Sequence, residues 1–382
     1  MKVSSFIAGV LPLASLVLAA PGLDPEKAAD KKINHFEKKY QKYIEDTIKK
    51  HKTGCTKNNI RRRKEWSKLT RPERKAYLDA IYCISAKPGV TPQSVIPGAR
   101  SRFDDFVVSH IQLTPFVHAN GFFLAYHRYL IWLFETALRE ECGYNGAQPY
   151  WDWTLHWQDQ SRHPVFDGSP WSLGTNGAYV PDRDPITIYL PGPIPVTFPP
   201  ATGGGCVSGP LGKDKFKVNL GPIGYSPQGP DGGLGYNPRC LTRDLSPQLS
   251  QDSLRPRNVS FLLESDSYAA FNFNLDRAPG GNGVHGAGHF LIGTVQLDTY
   301  ASPSDPMFYL HHSNLDRLFA IWQGQDQGAR TGVVWGTQTS GNVPPSANVT
   351  LDTPVPFGYV SPDVPLGDLQ SSIGGPFCFI YE

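Results

Sequence analysis

Apolar residues recur at helical spacing along much of the chain. Residues 24–85 follow this pattern with one interruption, and Thr70 followed by Glu73 has the signature of a capping box that opens the second part. A long helix is predicted in residues 121–142, where the apolar stripe ends before Gly143. The pattern therefore predicts a mainly α protein.

The second half of the chain is less regular. Residues 181–238 are rich in Gly and Pro, so they are predicted to form a long irregular excursion. Another helix is predicted in residues 304–323, with Asp305 as its cap. Short β-like pieces occur at residues 331–335 and 376–381. The prediction is a helical core with long irregular loops and little β structure.

Two adjacent histidines, His311 and His312, lie in this last helix. Phe308 belongs to the apolar stripe, and His312 continues that stripe four residues later. His312 is therefore predicted to face the core, whereas His311 points about 100° away and is interpreted as structural. Asp316 follows one turn later, where it could hold a ligand imidazole or pair with a base such as Arg317.

His285 and His289 are four residues apart, so one helical turn would present both rings on the same side, as in metal-binding helices. Such a pair alone is more often packed than metal-bound. Gly286 and Gly288 each cost about 1 kcal/mol of helix propensity relative to Ala. Their presence indicates that something approaches this helix closely.

His110, His118 and His127 are separated by steps that turn their rings apart on one continuous helix. They can converge only if the backbone breaks between them, and Pro115 and Gly121 are placed to allow this. Each histidine alone would be read as a satisfied core residue.

The histidine clusters together favour a different interpretation. A buried imidazole needs partners for both ring nitrogens, and two clusters of three would be costly to satisfy without a metal. Ligation by imidazole alone suits copper best, with zinc as the alternative. Three ligands per ion leave open coordination positions, which is the catalytic pattern.

The first twenty residues have a basic second residue, an apolar run and a Val-Leu-Ala end, so residues 1–20 are predicted to be a cleaved secretory signal. We therefore expect an extracellular protein. The even number of cysteines predicts disulfides, with the pairing left open. These cysteines are Cys55, Cys83, Cys142, Cys206, Cys240 and Cys378. Asn258 and Asn348 lie in glycosylation sequons.

Residues 22–77 contain more basic than acidic residues, so a nucleic-acid- or polysaccharide-binding arm is one alternative. Both signs of charge alternate there at helical spacing, which is typical of a solvated helix face. We expect neither a nucleic-acid nor a membrane partner, and the oligomeric state stays open.

The histidine-bearing segments resemble the type-3 copper proteins, most closely the secreted short fungal tyrosinases and catechol oxidases. The resemblance covers about residues 55–325 and rests on "SRFDDFVVSHIQLT", "HANGFFLAYHRYL", "FETALREECGYNG", "PYWDWT", "HGAGH" and "SDPMFYLHHSNLDRLFAIWQ". It implies one oxidase domain in residues 21–382, without a C-terminal shielding domain. Its core would be an antiparallel four-helix bundle around a dicopper centre.

The resemblance also implies a ligand set and a reaction. The first copper would be held by His110, His118 and His127. The second would be held by His285, His289 and His312. The reaction would oxidise small phenolic substrates, o-diphenols, to o-quinones and reduce O2 to water. The alternatives are a haemocyanin-like oxygen carrier without turnover and a zinc hydrolase, although no carboxylate lies near the histidine pair.

Several positions depart from the family pattern. Phe116 stands where longer fungal members have a thioether-forming cysteine. No glutamate lies shortly before His285, and the nearest acid is Asp276, so monophenol hydroxylation is expected to be weak. The resemblance also implies three residues at the substrate entrance. These are Gly286, Phe290 and Thr299, the last at the position of a bulky gate in plant catechol oxidases.

Overall fold

The computed structural model describes residues 24–50, 54–190, 194–279 and 281–382. The predicted secretory signal, residues 1–20, lies outside the described residues and stays a prediction.

Helices carry most of the regular structure, which confirms the predicted mainly α class. They are α1 (Pro25–Lys49), α2 (Arg71–Ala86), α3 (Arg102–Val117), α4 (Phe123–Cys142), α5 (Pro247–Ser253), α6 (Pro256–Leu263), α7 (Tyr268–Asn274), α8 (Val284–Ile292), α9 (Met307–Gln325) and α10 (Gln327–Arg330). Among the described helices, none combines the length and the apolar character needed to cross a membrane.

The strands are short and form two-stranded sheets. They are β1 (Arg61–Arg63), β2 (Gly177–Tyr179), β3 (Ile186–Leu190), β4 (Ile194–Phe198), β5 (Gly204–Val207), β6 (Arg277–Ala278), β7 (Gly281–Asn282), β8 (Pro354–Val355), β9 (Val364–Pro365) and β10 (Phe379–Tyr381). Strands β1 and β10 pair in parallel. The antiparallel pairs are β2 with β5, β3 with β4, β6 with β7, and β8 with β9.

Local sequence signals set the helix ends as predicted. The Thr70 hydroxyl accepts a hydrogen bond from the backbone N–H of Glu73, and the Glu73 carboxylate accepts one from the backbone N–H of Thr70 at 2.7 Å. This confirms the capping box at the start of α2. Helix α4 ends at Gly143, whose φ of 67° is accessible to glycine without strain.

Helices α3, α4, α8 and α9 form the bundle at the centre of the molecule. Helix α9 is enclosed on every side, because each residue in 307–323 is buried. Helix α1 packs against α6 and α9, and α2 packs against α3 and α4. The predicted helical bundle is thus confirmed, and its inner faces carry the histidines.

Three disulfides tie loops and helices around this bundle, which confirms that the cysteines are paired. The bonds join Cys55 to Cys378, Cys83 to Cys142, and Cys206 to Cys240. The Cys55–Cys378 bond lies beside the β1–β10 pair, so it links the early part of the described chain to its last strand.

The Gly/Pro-rich excursion of residues 181–238 contains little regular structure, in line with the prediction. It carries the β3–β4 hairpin and the short strand β5. The β-like piece predicted at residues 331–335 is wrong, since no strand forms there, whereas the piece at 376–381 contains β10. Residues 331–335 have high β propensity, but no neighbouring strand of the described chain pairs with them.

The two sequons differ in their surroundings. Asn258 lies in α6 with only 7% of its surface exposed, and its amide donates to the carbonyls of Asp252 and Ser253 at 3.1 and 2.9 Å. Burial and the two hydrogen bonds disfavour a glycan on this amide in the folded protein, and the glycosylation of Asn258 stays a prediction. Asn348 is exposed, and its glycosylation stays a prediction.

Candidate metal centre

The first histidine cluster forms where α3 ends and α4 begins. His110 lies in α3, His118 directly follows that helix, and His127 lies in α4. Their ring centroids are 5.0 Å apart for His110 and His118, 5.0 Å for His118 and His127, and 5.7 Å for His110 and His127. The backbone break that convergence requires is present between α3 and α4, near Gly121, whereas Pro115 lies inside the last turn of α3.

The second cluster joins α8 to α9. His285 and His289 project from α8 and His312 from α9, with ring centroids 5.1 to 5.4 Å apart. The Nε2 atoms of His289 and His312 are 3.1 Å apart. The structure therefore brings together each group of three histidines that the sequence and the family resemblance indicated.

His311 is also buried beside the second cluster, because α9 is enclosed on all sides. Its Nε2–H donates to the backbone carbonyl of His285 at 3.1 Å, and a ligand atom of His311 lies within metal-binding reach of the cluster. Periodicity distinguished the direction of His311 from that of His312 but did not predict that both would be buried. The hydrogen bond to His285 fits the structural role predicted for His311.

Hydrogen bonds at Nδ1 fix the orientation of five rings. The acceptors are Tyr300 O for His110 (2.8 Å), Thr114 O for His118 (3.0 Å), Phe123 O for His127 (2.8 Å), Asp276 Oδ1 for His285 (2.6 Å) and Gln296 Oε1 for His289 (2.7 Å). Placing the proton on Nδ1 leaves the lone pair on Nε2, as a metal-binding imidazole requires.

The opposite ring nitrogens point into the centre. Within the described part of the chain, the buried Nε2 atoms of His110, His127 and His285 have no hydrogen-bond partner. Several buried acceptors aimed at one place would be costly unless a cation sits between them. His312 differs from the other five rings, since its Nδ1 is also without a partner among the described residues.

The two clusters face each other across the α4–α9 interface. The rings of His127 and His312 stack at 4.2 Å with an interplanar angle of 10°. His118 and His285 face each other at 6.3 Å. These contacts place the two candidate metal positions side by side between the two clusters.

Burial favours the neutral form of five of the six imidazoles, those of His110, His118, His127, His289 and His312. Desolvation, followed by the proximity of other histidines, lowers the pKa of His118 to about 4 and that of His289 to about 3. The same causes hold the pKa values of His110, His127 and His312 well below the ordinary histidine value. Neutral rings keep their lone pairs available for a metal at neutral pH.

Asp276 and Gln296 are functional residues that the sequence did not reveal as ring partners. The carboxylate of Asp276 contacts His285 across the β6–β7 ribbon. Although the side chain is 42% exposed, desolvation of the carboxylate beside the cluster raises its pKa; attraction to His285 and the hydrogen bond from that ring outweigh this, so the net pKa is lowered. Neither residue lies at helical spacing from its histidine, because an irregular turn brings each one to its ring. The sequence pattern therefore could not identify them as ring partners.

The role predicted for Asp316 in holding an imidazole is wrong. Its carboxylate accepts hydrogen bonds from Arg128 Nε at 2.5 Å and from the Tyr381 hydroxyl at 2.6 Å, and no described histidine contacts it. Asp316 instead forms a salt bridge, as the alternative prediction stated, and its partner is Arg128 of α4. Arg317 pairs instead with Glu37. Spacing along α9 could not indicate which neighbouring helix supplies the base.

Two of the candidate entrance residues lie on α8, and the third lies in the segment between α8 and α9. Gly286 is half-buried, and a Cβ there would come within 3.0 Å of the Phe290 ring. Phe290 packs against Phe198 of β4 at 4.6 Å. Thr299 is half-buried beside Gly224 of the excursion, and its neighbour Tyr300 supplies the carbonyl for His110. The roles of Gly286, Phe290 and Thr299 at the entrance stay predictions.

The donor set fits a pair of copper ions that use dioxygen. Each cluster offers three imidazoles. In most of these rings the Nδ1–H donates a hydrogen bond away from the centre, so Nε2 is left to bind a metal. Imidazole ligation suits copper, and three ligands per ion leave positions open for a co-substrate.

Comparisons with known proteins agree with this geometry. Residues 100–325 match the model of the common central domain of tyrosinase. Tyrosinase P of Aspergillus terreus is 38% identical over 335 residues, covering 86% of this chain and 93% of that protein. The N-acetyl-6-hydroxytryptophan oxidase ivoB of Emericella nidulans is 40% identical over 350 residues, with 86% and 94% covered.

A solved structure is similar over nearly the whole chain. A polyphenol oxidase variant from Thermothelomyces thermophila has a TM-score of 0.85 and 37% identity, covering 92% of this chain and 98% of that chain. The fold and its two histidine clusters thus define a type-3 dicopper protein. The chain belongs to the tyrosinase family and is a copper oxidoreductase of that family.

Proposed function

We propose that this chain is a catechol oxidase, which oxidises o-diphenols to o-quinones with dioxygen as the electron acceptor and hydroxylates monophenols weakly at most. The observation that carries the proposal is the face-to-face arrangement of two three-histidine clusters, with His127 stacked on His312. We also propose that residues 21–382 form one oxidase domain, which the continuous buried core from Ile33 to Tyr381 supports.

The copper pair, when bound, supplies the redox chemistry that carries four electrons from two catechols to one dioxygen, giving two o-quinones and two waters. The protein's part is positioning and exclusion. Asp276 and Gln296 hold the rings of His285 and His289, so the second cluster keeps its geometry as substrate enters. Phe123 and Phe308 pack against the imidazoles and keep the cavity apolar around the reacting ring.

The preference for catechols over monophenols is supported by the acid at this site. Hydroxylation of a monophenol requires its hydroxyl proton to be removed, and a free carboxylate near the second cluster would serve as the base. Asp276 is the acid beside that cluster, and its carboxylate is engaged by the His285 ring at 2.6 Å. A catechol presents two acidic hydroxyls and depends less on such a base.

The relatives support a small phenolic substrate. The Emericella nidulans relative is named as an oxidase of N-acetyl-6-hydroxytryptophan, which is a small molecule with a hydroxylated aromatic ring. We propose the same chemical class here, without assigning the natural compound.

We further propose that the protein is secreted. The signal-like residues 1–20 and the three disulfides support an oxidising destination.

The experiment is metal analysis of the purified protein, followed by oxygen uptake with catechol and with phenol. We expect about two coppers per chain, one for each three-histidine group. Oxygen uptake should be rapid with catechol and slow with phenol. His312→Ala should lose copper and oxygen uptake together, whereas His35→Ala, on the exposed face of α1, should retain both.

Three results would contradict the proposal. Reversible oxygen binding without quinone formation would indicate an oxygen carrier. Comparable initial rates with phenol and catechol would indicate a tyrosinase. Zinc in place of copper after reconstitution with both metals would indicate a hydrolase.

A further inference from the structure

A buried ion pair joins the two helices that face each other across the metal centre. Arg128 of α4 donates from Nε to the Asp316 carboxylate of α9 at 2.5 Å, and both side chains are almost completely excluded from solvent. Buried charges are tolerated when they are paired and hydrogen-bonded in a fixed geometry. This pair is therefore a rigid polar contact within an otherwise apolar interface.

The pair lies next to one ligand from each cluster. Arg128 directly follows His127 of the first cluster, and Asp316 is one helical turn after His312 of the second. The rings of His127 and His312 are the ones that stack at 4.2 Å. Any sliding of α4 along α9 would therefore change the distance between the two clusters and would strain the ion pair at the same time.

The remaining polar atoms of the pair are also held. Arg128 donates to the carbonyl of Gln370 at 2.7 Å and to the side chain of Gln323 at 3.2 Å. The second carboxylate oxygen of Asp316 accepts from the Tyr381 hydroxyl at 2.6 Å. Because these contacts come from different directions, neither charged group can follow a shifted helix without losing a hydrogen bond.

We propose that the Arg128–Asp316 ion pair sets the separation of the two copper ions, so that both residues are positioning residues for the dicopper reaction. The inference rests on the dicopper centre and not on the identity of the phenol. The apolar rings around the dicopper centre, such as those of Phe123 and Phe308, stabilise the helix packing, but this packing does not fix one relative position of α4 and α9. A charge-assisted hydrogen bond with a defined geometry does fix that position.

The test compares three variants of the copper-loaded, oxidised protein. Asp316→Asn removes the charge, and Arg128→Lys retains the charge but loses the planar fork. The matched control is Asp105→Asn, a buried carboxylate of α3 whose charged partner is Arg102 of the same helix and whose contacts do not include Arg128 or Asp316. Copper content, the EPR signal per copper and the copper–copper distance from X-ray absorption are measured for each.

Two oxidised coppers that share a bridging ligand couple their spins and give little EPR signal, whereas separated ions each give one. We expect Asp316→Asn and Arg128→Lys to keep their copper but to show a several-fold larger EPR-visible fraction. Their kcat for catechol should fall by about tenfold, with KM little changed. Asp105→Asn should lose stability and keep the weak EPR signal of the unaltered protein.

The inference is overturned if Arg128→Lys and Asp316→Asn keep the EPR signal and copper–copper distance of the unaltered protein, or if Asp105→Asn changes them equally. If Asp316→Asn fails to fold, Arg128→Lys decides by the same measurements. A protein with two spin-coupled coppers that does not oxidise catechol would contradict the proposed function alone.

Discussion

Gly288 of α8 lies directly against the imidazole of His311 of α9: a Cβ at position 288 would lie 2.1 Å from Cε1 of that ring. This contact explains why a helix that carries two metal ligands contains a glycine that weakens it. The close approach lets the His311 ring reach the carbonyl of His285, which tethers the start of α8 to α9.

Gly288→Ala should separate α8 from α9. The added methyl group meets a ring that is itself enclosed, so overpacking should cost about 1–3 kcal/mol of the free energy of unfolding. We expect copper content to fall from about two to about one per chain, because the second cluster spans α8 and α9. Metal analysis and thermal unfolding check this expectation.

Gly286→Ala is the control for that substitution. Its Cβ would meet the edge of the Phe290 ring at 3.0 Å, a much looser contact than the 2.1 Å at position 288. Copper content should be retained. Equal copper loss in both variants would show that helix propensity, and not the contact with His311, explains the effect of Gly288→Ala.

Asp276→Ala should weaken the second copper. The His285 ring would lose the acceptor for its Nδ1–H at 2.6 Å, and with it the orientation of its Nε2. Loss of such a partner typically reduces metal affinity or activity by about 10- to 100-fold. Competition with a copper chelator measures the affinity. Asp252→Ala, an exposed residue that contacts Gln248, is the control and should bind copper unchanged. Identical chelator curves for the two variants would rule out this role of Asp276.

The sequence predicted the parts of this centre that depend on helical periodicity. The apolar stripe through Phe308 indicated His312, and the HxxxH spacing indicated the shared direction of His285 and His289. The break between α3 and α4 followed from the need to bring His110 and His127 together. Each of these inferences concerns one helix or one chain break, where the spacing of residues along the sequence is enough to predict the direction of the side chains.

The features that the sequence predicted wrongly or left open depend on contacts between distant segments. Asp316 lies on the side of α9 that spacing predicted, but its partner is Arg128, whose approach is set by how α4 packs on α9. The link from Asp276 to His285 depends on an irregular ribbon, which no periodicity marks. The pairing of Cys55 with Cys378 depends on the parallel β1–β10 contact, which brings together segments from opposite parts of the described chain.

Acid should destabilise the copper-free protein as the pH falls below about 6.5. The folded-state pKa values of His118 and His289, about 4 and about 3, lie below the ordinary value of about 6.5 for an unfolded chain. The unfolded chain therefore binds more protons between these values, so stability is retained above about pH 6.5 and is lost as pH falls towards about 4. Each such histidine contributes up to about 1.4 kcal/mol per pH unit in that window.

Thermal unfolding between about pH 7 and about pH 4 checks this prediction, with and without copper. Between about pH 6.5 and about pH 4 the folded-state rings of His118 and His289 are neutral with or without copper, so bound copper should raise the stability without changing its pH dependence. A copper-free protein whose stability does not fall over this range would contradict the prediction.

The two sequons should behave differently when the protein is produced in a eukaryotic secretory host. Asn348→Gln should remove the mass that a glycosidase releases, because Asn348 is exposed, whereas Asn258→Gln should leave that mass unchanged. Asn258→Gln should instead lower the free energy of unfolding by about 1–3 kcal/mol, since the carbonyls of Asp252 and Ser253 lose their donor in a buried place. Each variant is the control for the other. A glycan found on Asn258 in the folded, active protein would mean that α6 is not packed as described.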